Sequence, residues 1–122
     1  MPLQQRAAQG KLAETEASIA LLEAQRVRIA EDIGAQLAAV STDVAAAARL
    51  LALAGEEVGQ AEALARAERR RMQLGTSDLL RVTLREEAAT DAQIRAVDAA
   101  LRQALAHAEL AAATADLKVL GL

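Results

Sequence analysis

Few residues of this chain could do chemistry, and their spacing does not bring them together. His107 is the single histidine, and there is no cysteine. Three and four residues from His107 along a helix stand Gln103, Ala104, Leu110 and Ala111. A metal site needs three or four converging ligands, and these do not supply them. Glu86, Glu87 and Asp91 form one acidic cluster, and Glu56 with Glu57 forms another. Acid–base work by such carboxylates needs a water-excluding pocket, and nothing in the sequence suggests one. Ser41, Thr42, Ser77 and Thr83 have no base near them in the chain. The same charged residues fit a structural role better. Glu62–Arg66 and Asp91–Arg95 have the i,i+4 spacing that supports an exposed helix face. The expectation is a chain that is no enzyme and holds no cofactor or metal.

The elements that carry these residues are written in the composition. Of 122 residues, 33 are alanine and none is aromatic. A thick globular core normally uses aromatics as its largest apolar pieces. Their absence argues for thin helix-on-helix seams, and Ala, Leu, Glu, Arg and Gln all favour helix. A formal net charge of −3 with interspersed signs gives no basic stripe for nucleic acid. Arg69, Arg70 and Arg71 are the only basic run. No uninterrupted apolar run reaches 18 residues, so no bilayer-spanning helix is expected. Met1 is followed by Pro2 and polar residues with no apolar h-region, so no signal peptide is read. The reading is a cytosolic chain or a piece of a larger protein.

Hydrophobic periodicity predicts a first helix over about residues 3–73. Pro2 suits its first turn. Its expected seam is Leu12, Ile19, Leu22, Ile29, Ile33, Leu37, Val40, Val44, Ala47, Leu51, Ala54, Val58, Ala61, Ala65 and Met72, a heptad-like stripe. The eleven-residue step from Leu22 to Ile33 reads as a stutter. Gly10, Gly34, Gly55 and Gly59 interrupt the helix pattern, each at a cost of about 1 kcal/mol against Ala. Close helix–helix approach or tolerated defects would explain them, and a bend near Gly55 and Gly59 is the alternative.

The break falls at about residues 74–77. Cationic Arg69–Arg71 suit a helix C-terminus. Gly75 can take the left-handed conformation that ends a helix. Thr76 or Ser77 can cap the next helix, with Asp78 in its first turn. Leu74, Leu79 and Leu80 can close over the turn as an apolar plug. So short a connection makes the two helices antiparallel neighbours.

The second helix is expected over about 78–119, with Gly121 beyond its end. Its seam is read as Leu80, Thr83, Glu87, Thr90, Ile94, Val97, Leu101, Ala104, Ala108, Ala111 and Ala115. A second apolar set, Leu79, Val82, Leu84, Ala88 and Leu105, points elsewhere and implies neighbours on both sides. The fold class is therefore all-α: residues 1–122 form one long antiparallel two-helix coiled-coil hairpin with unequal arms. At 1.5 Å per residue, arms of about 70 and 42 residues span roughly 105 and 63 Å. About 40 Å of the first helix, with the Leu12–Ile33 seam, would then lack cover and call for another partner.

Three stretches carry a family resemblance: Pro2–Glu14 (PLQQRAAQGKLAE), Arg71–Leu80 (RMQLGTSDLL) and Leu84–Ala92 (LREEAATDA). Together with the spacing of a long arm, a tip and a shorter return, they resemble the C-terminal repeat of TolC-family outer-membrane efflux proteins. The resemblance implies a periplasmic helical hairpin from the wall of an efflux or secretion duct, trimeric in the full-length family. Its tip, Arg71, Leu74, Gly75, Thr76, Ser77, Asp78, Leu79 and Leu80, would dock a periplasmic adaptor protein and, through it, an inner-membrane pump. The family's β-strands and other half-repeat are not in this sequence, so membrane contact would come only through a missing β-barrel segment. The competing readings are the hairpin of a periplasmic adaptor, whose arms are near equal, and a generic helical scaffold. A lipid-binding bundle would want aromatic anchors that the chain lacks.

Overall fold

A computed structural model describes residues 2–114 of the chain. It has two helices, α1 (Pro2–Gln73) and α2 (Leu79–Ala113), of 72 and 35 residues. By its contacts the chain divides into two compact units, Met1–Ala38 and Ala39–Leu122. In the first unit the described residues are exposed, except for half-buried Leu37. The second unit holds the helix pair.

The pair is antiparallel. Glu57 meets Arg95, Glu62 meets Gln93 and Arg69 meets Glu86, so numbers rise along one helix as they fall along the other. On α1, Val40, Val44, Ala47, Leu51, Ala54, Val58, Ala61, Ala65, Glu68 and Met72 are buried or half-buried. The steps alternate strictly between four and three, the heptad signature of a coiled-coil seam. The seam expected for this stretch is therefore correct, with Glu68 added to it.

The seam expected for α2 is not. Val82, Glu86, Ala89, Ala92, Ala96, Ala99, Gln103, Ala106 and Leu110 face the partner instead. Of the expected set only Ala111 is buried, while Ile94, Val97 and Leu101 remain 56–68% exposed; Ala115 lies outside the described residues. The second apolar set is mostly outside too, with Val82 its one buried member. Packing and charge together explain the choice. Eight alanines and Val82 make up the buried apolar residues among those described. Alanine against alanine lets helices approach closely, which the α1 seam of Ala47, Ala54, Ala61 and Ala65 also favours. This rotation of α2 also puts Arg95 beside Glu57 and Glu86 beside Arg69.

One further expectation narrows and another changes. The glycines of α1 do not mark close approach: a Cβ at Gly10, Gly34, Gly55 or Gly59 would meet nothing within 4 Å, and the helix runs through all four. They are tolerated defects. Second, α1 does contain an 18-residue window of mean hydropathy 1.6 with at most two charged residues, enough to span a bilayer by length and composition. Averaging over alanines produces it where a search for uninterrupted apolar runs found nothing. The described part of α2 closes at Ala113, where the Thr114 amide donates to Leu110. The expected continuation to Val119 and Gly121 lie outside the described residues.

Candidate docking surface at the turn

α1 ends by a Schellman arrangement. The Thr76 amide donates to the Arg71 carbonyl (2.9 Å) and the Gly75 amide to that of Met72 (3.0 Å). Gly75 takes φ +75°, the left-handed conformation this motif requires at its penultimate position. The Thr76 hydroxyl also donates to the Arg71 carbonyl, at 3.1 Å. The helix end that the sequence placed at Gly75 is thus closed by its own backbone.

α2 begins differently from the expectation. Asp78, not Thr76 or Ser77, is the N-cap: its backbone is extended and its Oδ1 accepts the Arg81 amide at 2.8 Å. A carboxylate there satisfies a free amide and faces the positive helix end. Ser77 is released for another role. Its hydroxyl donates to Oε1 of Glu68, one turn before the end of α1. Glu68 is 8% exposed and is the one buried charged residue among those described. Its other oxygen lies 3.5 Å from Arg71. Ser77 and Arg71 thus both hold the carboxylate that the seam buries, and the turn is tied to the last heptad of α1.

The leucines do not close over the turn. Leu74, Leu79 and Leu80 are 68–72% exposed. The Schellman bonds and the Asp78 cap satisfy the backbone, so no apolar cover is required. The result is a turn closed by its own hydrogen bonds, with three outward leucines.

Beside it the expected tip residue Arg71 is joined by charges that the expected tip did not include. Glu68, Arg71, Arg81, Leu84 and Arg85 line a groove of about 370 Å³ on one side of the hairpin. Glu68 had a legible signal: it sits three residues after Ala65 and four before Met72, the missing step of the seam. Arg81 and Arg85 had only their i,i+4 spacing, which many exposed helix faces share.

Farther along the pair, Arg95 makes a two-pronged contact with Glu57, at 2.5 and 3.4 Å. The hydrogen bond to Glu57 raises the guanidinium pKa above its ordinary value, partial desolvation opposes it, and the Glu57 and Asp91 charges add to it. Arg95 therefore reaches across to α1 rather than pairing along α2 with Asp91. The Glu62–Arg66 pair does form as expected, at 3.6 Å. No group of three or more metal-ligating side chains occurs among the described residues. Comparison with models of protein families, with curated proteins and with solved structures finds no match to this chain.

Proposed function

We propose that this chain is a periplasmic wall segment of an outer-membrane efflux or secretion duct of the TolC type, with the turn at Gly75 as its adaptor-docking tip. The observation that carries this reading is the double face of α2. Its alanine stripe packs on α1, while Ile94, Val97 and Leu101 stay exposed on another face. A helix in the wall of a helical barrel needs neighbours on two sides, and exposed apolar surface of this kind marks an interaction face. Self-association into the family's trimer would supply the second neighbour. The outward leucines at a hydrogen-bonded turn suit docking of a helical adaptor, which would join the duct to an inner-membrane pump.

The alternative, an adaptor hairpin, is favoured less because its arms are near equal, whereas α1 and α2 differ by a factor of about two. A generic scaffold would explain the helices but not the exposed leucines.

Leu79→Asp in the full-length parent protein tests the proposal. Leu79 is exposed and makes no seam contact, so helix content should be unchanged while adaptor co-purification and efflux fall. Unchanged efflux would count against a docking tip. Gly75→Glu is a poorer test, because a side chain at φ +75° strains the turn itself.

A further inference from the structure

The groove beside the turn has a charge balance that the helix seam does not use. Three arginines, Arg71, Arg81 and Arg85, line it with one carboxylate, Glu68, in a chain whose formal net charge is −3. Arg71 lies 3.5 Å from buried Glu68, and Arg81 lies 3.9 Å from Asp78. Both arginine side chains are more than half exposed, and Arg81, whose partner is exposed as well, gains little from its pairing. Arg85 is exposed and makes no ion pair among the described residues. Leu84, 54% exposed, supplies an apolar patch in the same lining.

We propose that this groove receives an acidic helical segment of a partner protein, with its carboxylates taken by Arg81 and Arg85 and an apolar side chain laid on Leu84. The guanidinium fork matches a carboxylate with two parallel hydrogen bonds. Arg81 and Arg85 stand at i,i+4, so a facing helix with Glu at the same spacing meets both. Glu68 does not compete for them: its carboxylate already accepts from Ser77 and pairs with Arg71. A protein suits the groove better than nucleic acid or a membrane. The chain has no aromatic side chain to stack a base or anchor at a lipid interface, whereas Leu84 matches an apolar side chain of a helix. The inference names the partner chemistry of the docking tip proposed above and rests on that reading for its biological setting, though the binding itself does not.

The test titrates the isotope-labelled 122-residue chain with a designed helical peptide carrying Glu at i,i+4 and leucines on the same face. A matched peptide carries Gln in place of Glu. The acidic peptide should shift resonances of Arg71, Arg81, Leu84 and Arg85, bind more weakly as salt is added, and lose roughly tenfold in affinity with Arg85→Gln. Equal binding of the Gln peptide, no binding of the acidic one, or its displacement by millimolar phosphate or by phosphatidylglycerol vesicles would each overturn the proposal. Leu79→Asp in the parent protein separates the two readings. If it leaves efflux intact while the peptide still depends on Arg85, the docking tip falls and the groove stands. If it abolishes efflux while Arg85→Gln leaves peptide binding unchanged, the groove falls and the tip stands.

Discussion

Glu68 is the residue on which the turn most depends. A buried carboxylate must have its charge and lone pairs met: the Ser77 hydroxyl donates a hydrogen bond to it, and the Arg71 guanidinium stands 3.5 Å away. Ser77→Ala should therefore destabilise the helix pair by roughly 1–2 kcal/mol in urea unfolding, because it leaves a buried acceptor short of a donor. Glu68→Leu should cost less, since it removes the charge that needs the donor and adds apolar volume to the seam. A larger loss for Glu68→Leu than for Ser77→Ala would contradict this account. Arg95 stands at the other extreme. Its contact with Glu57 is short but exposed on both sides, so Arg95→Gln should cost the helix pair less in urea unfolding than Ser77→Ala does. The arginine's raised pKa means that its share of stability is fully present below the ordinary guanidinium range and is lost only as pH climbs through the raised value. Arg95 therefore adds no pH dependence near neutrality.

Alanine sets how the two helices approach one another. Ala92 is fully buried, and Ala89, Ala99 and Ala106 lie within 8% of it. Ala92→Leu should destabilise the pair by about 1–3 kcal/mol, because a closely approached seam has no room for the added carbons. The same change at exposed Ala104 should be nearly neutral, and equal effects at the two positions would show that the seam is loose. Within α1, Gly55→Ala and Gly59→Ala should each stabilise the chain by roughly 0.5–1 kcal/mol, since nothing opposes the added methyl group. Gly75→Ala should do the reverse, by about 1–2 kcal/mol, because its backbone is left-handed. Thermal unfolding followed by circular dichroism reads all three. Helix identity, the end at Gln73 and the special role of Gly75 were legible because they rest on local terms: propensity, capping and a conformation open to glycine.

For the molecule as a whole, the two units differ in what their side chains bury. Amides of Ala47–Ala65 should exchange hydrogen far more slowly than those of Leu12–Ile33, whose side chains are exposed. Protection equal to that of the seam would mean that the first unit has found a partner in solution. The uncovered leucines and isoleucines of that unit predict such self-association, and sedimentation at rising concentration would detect it. The amino-acid sequence by itself determined that the chain is helical, that it turns at Gly75, and which α1 residues between Val40 and Met72 lie on the seam, Glu68 apart; it read that seam as running back to Leu12. Which face of α2 meets α1 was decided by the tertiary structure, which turns both expected apolar sets outward apart from Val82 and Ala111. Read as a sequence, Ile94, Val97 and Leu101 outweigh alanine because each buries more area. Between two closely approaching helices, area counts only where the side chain fits, and the flanking Glu57–Arg95 and Arg69–Glu86 contacts add to the same rotation. The turn decides two further points. The seam spacing marks position 68, but only the turn decides that a carboxylate can be buried there, because it brings the Ser77 hydroxyl to Glu68 and leaves Asp78 to cap α2.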